Sequence, residues 1–313
     1  MRRAVARCFV TRVLPGPALD RLRERHEVDL WPERLPPPYE ELRARTADAD
    51  ALLSLLTDRV DAALIEGSPR LRAIANYAVG YDNIDLDAAR ARSIPVGNTP
   101  DVLTDATADL AFTLLLAAAR QLPDALLSVQ SHDWLTWEPS GFLGHEVFGA
   151  TLGIIGMGRI GRAVARRAQG FDMTVLHTGP GGGVPLLTLL KRADFVTLHA
   201  PLTPETHHLI DAAALQAMQP TAILINTARG PIIDQAALIE ALRRGEIAGA
   251  ALDVTDPEPP PADDPLFSAP NLIVVPHIGS ATRTAREAMA NLAVDNLLAA
   301  LDGEPMPHPV HTE

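Results

Sequence analysis

The feature that most limits what this chain can fold into is the segment Thr151–Gly161, TLGIIGMGRIG. Leu152, Ile154 and Ile155 form a short apolar run. Gly156, Gly158 and Gly161 follow at G-x-G-x-x-G spacing, and Arg159 to Gly170 has a helical pattern. A buried strand running through a glycine turn into a helix is the start of a dinucleotide-binding fold. One glycine makes the tight turn, one lets the backbone approach a pyrophosphate, and one lets helix and strand pack closely. The free N–H groups at the helix N-terminus then face the anion. Outside this strand–turn–helix context the same spacing would mean only an ordinary glycine-rich turn. About half of the chain precedes the segment, so a sizeable separate unit folds from the N-terminal part.

A length of 313 residues suits two domains. The formal net charge of −12 argues against nucleic acid or an anionic membrane as a partner. It also means that an anionic cofactor is held by local donors, against the overall field. Lys191 is the only lysine, which reads as coding bias rather than function. Cys8 is the only cysteine, so no disulfide can form within the chain, and a buried, inert thiol in a reducing compartment is expected. Arg7 and Arg12 interrupt the first apolar run, which therefore does not read as a secretory leader. No apolar run approaches the ~18 residues of a membrane helix. A cytoplasmic protein is expected.

Short apolar runs alternate with helical patterns throughout, the signature of parallel sheets with crossover helices. Before the glycine turn, strands read at Val5–Val10, Val28–Leu30, Ala51–Leu55 and Leu71–Ala75, with helices at Ala18–Arg25 and Glu40–Ala47. Asp101–Leu122 reads as one long helix, a candidate connector between domains, followed by a shorter helix at Ala125–His132 and an aromatic-rich loop at Asp133–Phe148. After the turn, strands read at Thr174–Thr178, Phe195–His199, Ala222–Asn226, Gly249–Val254 and Leu272–Val275. With the apolar run of Leu152, Ile154 and Ile155 before the turn these make six, the number a doubly wound dinucleotide domain needs. A last helix, Ala285–Leu301, returns to the N-terminal domain. The expected fold is α/β, with two doubly wound parallel-sheet domains. A Rossmann dinucleotide-binding domain (100–281) is inserted into a flavodoxin-like substrate domain (1–99 and 282–313), with hinges between Pro100 and Asp105 and near Ala281.

Three polar residues come after successive strands of the second domain, where ligands of open α/β sheets bind. They are Arg229 in NTARGP, Glu258 in DVTDPEPPP and His277 in PHIGSAT. A planar guanidinium grips a carboxylate with two hydrogen bonds. An imidazole donates a proton to a carbonyl oxygen near neutral pH. A carboxylate beside it orients the ring and stabilises its cation. Taken singly, each residue has a plainer reading: a surface arginine, a packing histidine, a solvated glutamate. Together they suit hydride transfer to a 2-keto acid.

At these residues the chain resembles the D-isomer-specific 2-hydroxyacid dehydrogenases over essentially its full length. The supporting segments are ANYAVGYDNID, NTPDVLTDATADLAF, GIIGMGRIG, LINTARGPIID, ALDVTDPEPPP and VVPHIGSAT, and the end NLLAALDGEPMP points to the glyoxylate/hydroxypyruvate reductase subgroup. The resemblance implies that Arg229 binds the substrate carboxylate, that His277 is the acid/base supported by Glu258, and that Val79 and Gly80 offer backbone N–H groups to the carboxylate. It implies cofactor contacts at Gly156, Gly158, Arg159, Ile160 and Gly161 in the pyrophosphate turn. Further contacts fall at Thr107, Thr178, Gly179, Pro201, Thr227, Asp253, His277 and Gly279, with Asp253 near the nicotinamide amide. Trp137 matches a tryptophan that reaches into the partner subunit's site of a homodimer. Local packing is its other reading.

One segment departs from the family pattern. After the second strand the chain reads HTGPGGGVPLL, with neither an acidic residue near Gly179 to bond the ribose hydroxyls of NAD nor an arginine near Pro180 to pair with the 2′-phosphate of NADP. The segment is also shorter than the family's by roughly one short helix. No charge-assisted bond of about 1.5–3 kcal/mol is available to the phosphate, so weak discrimination between NAD and NADP is expected. The expected reaction is reduction of glyoxylate or hydroxypyruvate. Other D-2-hydroxyacids (D-lactate, 3-phosphoglycerate) or phosphite, and a nucleotide-sensing corepressor that binds without turnover, are the alternatives. No metal is implied.

Overall fold

The computed structural model describes residues 5–310. The chain divides into two compact units, one running to Leu103 and resuming at Ala281, the other Thr104–Ser280.

The first unit contains β1 (Arg7–Val10), α1 (Ala18–Arg23), β2 (Glu27–Leu30), α2 (Tyr39–Ala47), β3 (Ala51–Ser54), α3 (Ala62–Glu66), β4 (Ala73–Asn76), α4 (Leu86–Ala91) and β5 (Val96–Gly97). All five strands are parallel, in the order β2-β1-β3-β4-β5, the flavodoxin-like order. β3 and β4 are buried along their whole length, as strands covered by helices on both faces must be. Phe9, Leu52, Leu64, Ile65 and Ile74 form the core of one face. The short helices α3 and α4 start at Asp61 and Asp85, whose carboxylates accept from Leu64 N–H and Ala88 N–H.

The second unit contains α5 (Thr104–Ala119), α6 (Leu122–Gln130), β6 (Thr151–Ile155), α7 (Arg159–Gln169), β7 (Thr174–Thr178), α8 (Leu186–Arg192), β8 (Phe195–Leu198), α9 (Ala212–Ala217), β9 (Ile223–Asn226), α10 (Gln235–Arg244), β10 (Gly249–Leu252) and β11 (Leu272–Val274). The last helix, α11 (Arg283–Leu301), belongs to the first unit. There Asn296, fully buried, donates to Asn98 O at 2.9 Å and accepts from His308 N–H at 2.9 Å.

The six parallel strands of the second unit are ordered β11-β10-β9-β8-β6-β7. Alternate residues supply two cores. Leu152, Ile154, Phe195 and Ile225 face α5 and α7, while Ile155, Val196, Leu198 and Leu224 face α8, α9 and α10. The strand count is as the sequence indicates, but the order is not the usual 3-2-1-4-5-6 of a dinucleotide fold. Among the described residues no strand lies beyond the second, and β7 forms the edge.

The single helix expected over Asp101–Leu122 is a second correction. α5 stops at Ala119, Gln121 adopts a left-handed φ of +49°, and α6 starts at Leu122. Pro123 is the cause. In a continuous helix it would remove one N–H and clash with the carbonyl of Ala119. That carbonyl accepts instead from His145 N–H at 2.8 Å. No single described helix is long and apolar enough to cross a membrane.

Candidate active site

The glycine turn joins β6 to α7. Gly156 has φ +96°, and a Cβ built on it would lie 2.6 Å from Ala200 N and 2.7 Å from His199 C. A Cβ on Gly161 would lie 2.2 Å from the carbonyl oxygen of Gly156. Both positions therefore exclude side chains through the fold alone. Gly158, the N-cap of the 11-residue α7, has open space around an added Cβ. Arg159 and Ile160 form the first turn of α7. A backbone cradle of this form at the head of a helix fits a pyrophosphate.

The carboxyl ends of the other strands carry further predicted positions. Thr178 ends β7, and its carbonyl accepts from Gly156 N–H at 2.9 Å. A Cβ on Gly179 would lie 3.8 Å from Gly156 Cα, which sets the end of β7 beside the turn. Pro201 comes after β8, with its carbonyl accepting from the Thr206 hydroxyl at 2.7 Å. Thr227 comes after β9, and its hydroxyl oxygen is buried without a protein partner.

His199 also lies here. Its Nε2 is 3.0 Å from Thr197 Oγ1, and its Nδ1 is sealed from water with no partner. Burial pushes the ring down to about 4. The unfolded chain protonates this ring near pH 6.5, the folded chain only near 4. The contribution to stability is therefore complete above pH 6.5 and is lost as pH falls toward 4, on a scale of about 3 kcal/mol. Thermal unfolding of His199→Asn between pH 7 and 4 should show a shallower acid loss than the parent. Equal slopes would contradict the burial of the ring.

Arg229 sits after β9 on a turn braced from below. The fully buried Asn226 donates from Nδ2 to Arg229 O at 2.8 Å and accepts from Ala228 N–H at 2.9 Å. Arg229 is half-buried, and its Nη1 donates to Ala228 O at 2.8 Å. The next residue sits against the loop after β10, since a Cβ on Gly230 would lie 1.9 Å from Thr255 O. That loop carries Glu258 and is tied to α10 where Asp256 N–H donates to Gln235 Oε1 at 3.0 Å.

Glu258 Oε1 is 2.6 Å from Nδ1 of His277. A carboxylate only accepts, so Nδ1 carries the hydrogen and Nε2 is left to face a reactant. His277 holds a left-handed φ of +51°, uncommon for a non-glycine residue. Asp253, buried at the end of β10, imposes it. Its backbone oxygen accepts from His277 N–H at 2.9 Å, and its two carboxylate oxygens accept from Ile278 N–H at 2.6 Å and Gly279 N–H at 2.8 Å. Burial raises the Asp253 carboxyl, against these hydrogen bonds and the nearby His277. A Cβ on Gly279 would lie 3.0 Å from Asp253 Oδ2 and 3.3 Å from Thr107 Cγ2, so Thr107, Asp253 and Gly279 share one spot. The sequence marks Asp253 as a cofactor neighbour; both its oxygens are engaged in holding the backbone after His277. No motif marks Asn226 and Gln235 as braces in the sequence; an asparagine at the end of an apolar strand is the one signal for the first.

The model of the D-isomer specific 2-hydroxyacid dehydrogenase NAD-binding domain matches residues 112–279. The chain belongs to the D-isomer-specific 2-hydroxyacid dehydrogenases. It is 50% identical to the glyoxylate reductase of Thermococcus gammatolerans, over 97% of this chain and 96% of that one. A crystal structure of a Thermus thermophilus protein superposes with TM-score 0.92 at 51% identity, covering 97% and 100% of the two chains. The NADPH-dependent glyoxylate/hydroxypyruvate reductase of Sinorhizobium meliloti, solved with NADP and malonate, gives TM-score 0.86 at 34% identity, covering 98% and 97%. As a D-2-hydroxyacid dehydrogenase the chain is an oxidoreductase that uses NAD(P).

Three further predicted positions belong to other segments of the chain. Val79 and Gly80 belong to the first unit, on the turn after β4, where their carbonyls accept from Asn98 Nδ2 at 2.8 Å and Asn76 Nδ2 at 2.9 Å. Trp137 is 80% exposed, on the loop after α6. Cys8 is buried, and burial pushes its thiol up to about 12, which leaves it inert.

Proposed function

We propose that this dehydrogenase reduces glyoxylate and hydroxypyruvate to glycolate and D-glycerate. The observation that carries the proposal is the 2.6 Å contact of His277 Nδ1 with Glu258, at the carboxyl edge of a dinucleotide-binding sheet. The bound NAD(P)H supplies the hydride. Arg229 orients the substrate through its carboxylate and polarises the keto group. The Nε2–H of the His277 imidazolium donates its proton to the keto oxygen as that oxygen becomes a hydroxyl. Glu258 keeps hold of Nδ1–H throughout, so the ring neither rotates nor changes tautomer. The Val79–Gly80 turn is the part of the first unit assigned to substrate. Steady-state assay of glyoxylate, hydroxypyruvate and pyruvate with NADH and NADPH tests this. Turnover with the first two is expected, and binding of cofactor with no turnover of any 2-keto acid would favour a sensor instead.

The assembly is assigned as a cytoplasmic homodimer. α6 contains no buried residue, and Leu126, Leu127, Trp134, Leu135, Trp137 and Leu143 are all exposed. Exposed apolar surface of this kind marks an interaction site, and a second copy of the chain covers it. Light scattering should give twice the chain mass for the parent and a shift toward the single chain for Leu126→Asp with Leu135→Asp. A parent that is monomeric at micromolar concentration would refute the assignment.

A further inference from the structure

We infer that the 2′ position of the adenosine ribose goes unread, so that this dehydrogenase binds NADH and NADPH with nearly equal affinity. The inference rests on the dinucleotide reading of the site. A dinucleotide fold ordinarily reads the ribose with an acidic residue near the end of the second strand, or the 2′-phosphate with an arginine there. Here that strand is β7. Its end lies against the Gly156–Met157 backbone, because a Cβ on Gly179 would come within 4.0 Å of Gly156 N and Met157 N.

Immediately after β7 the chain runs through Gly179-Pro180-Gly181-Gly182-Gly183. The turn is a fixed structure. Gly182 N–H donates to Gly179 O at 3.0 Å, and Val184 N–H donates to His177 O at 2.8 Å. A Cβ on Gly183 would lie 2.0 Å from His177 O, so the turn folds back over the strand with backbone alone. β7 is also the edge of the sheet, with no strand beyond it among the described residues to bring a side chain to the same place. Gly181 and Pro180 are exposed, and a Cβ on Gly181 meets nothing. The turn thus offers neither repulsion from a carboxylate nor a partner for a phosphate.

The turn itself thus brings no charge to the 2′-phosphate, which meets there the overall field of a chain with net charge −12. A phosphate carries about −1.5 to −2 at neutral pH. Salt screens that repulsion, over a Debye length of about 10 Å at 0.1 M. The ratio Kd(NADPH)/Kd(NADH) should therefore stand a few-fold above one at low salt and fall toward one as salt is added. An arginine pairing with the phosphate, Arg159 included, gives the opposite sign, with a ratio below one that rises with salt.

Titration calorimetry with NADH and NADPH, and with adenosine 5′-monophosphate and adenosine 2′,5′-bisphosphate, tests this without turnover. Ratios within about tenfold of one, falling with salt, are expected for both pairs. Pro180→Arg and Gly181→Arg should each raise NADPH affinity about tenfold or more and reverse the salt trend. A preference beyond a hundredfold for either cofactor, or a ratio that rises with salt in the parent, would overturn the inference and leave the dinucleotide reading intact. No binding of either dinucleotide would overturn both.

Discussion

His277→Ala should lower kcat with glyoxylate by roughly 10²–10⁴, the usual contribution of a general acid, while the Kd for NAD(P)H changes by no more than a few-fold. The split arises from where the side chain points. Nδ1 is held by Glu258 at 2.6 Å, which leaves Nε2 for the keto oxygen in the proposed reaction, whereas the glycine turn proposed for the pyrophosphate is built from β6 and α7. The backbone of His277 stays in place without its ring, because Asp253 grips the N–H groups of residues 278 and 279. Arg229→Lys should move the other parameter, raising KM, since one ammonium cannot replace a planar fork. Activity of His277→Ala within a few-fold of the parent would remove the histidine from the chemistry.

Gly161→Ala should weaken dinucleotide binding at least tenfold, about 1.4 kcal/mol, and lower Tm as well. Its methyl would sit 2.2 Å from a carbonyl oxygen of the turn. Since both atoms belong to the backbone framework, α7 or the turn must shift, and overpacking of this kind costs about 1–3 kcal/mol. Gly158→Ala provides the contrast. Its methyl meets nothing, so Tm should hold while dinucleotide affinity falls. Calorimetric Kd and thermal unfolding of the two variants separate a glycine needed by the fold from one needed by the ligand. Equal Tm values for Gly161→Ala and the parent would contradict the packing argument.

Much of the fold was legible because its strands are buried on both faces and read as unbroken apolar runs. β6 and β8–β10 all emerged within two residues of their ends. The two-residue β5 and the short helices α3 and α4 are below what periodicity resolves, although the Asp caps at 61 and 85 mark both helix starts. Apolar residues run through the break between α5 and α6 and hide it; Pro123 is the local signal for it. Strand order was not readable. Nothing local in HTGPGGGVPLL says that a strand has gone from the edge, since order is decided by which neighbours pair. Of the candidate site, the contact of His277 with Glu258 reflects a sequence logic of polar residues after successive strands. The bracing by Asn226, Gln235 and Asp253 does not, because a side chain's partner is set by turns that only three dimensions define.

Hydride transfer itself is tested most directly by tracing the hydrogen. With NADPH dideuterated at the C4 position of its nicotinamide and unlabelled glyoxylate, the glycolate formed should carry one deuterium at C2. Glycolate without deuterium, or cofactor that keeps both labels while glyoxylate is consumed, would contradict the account.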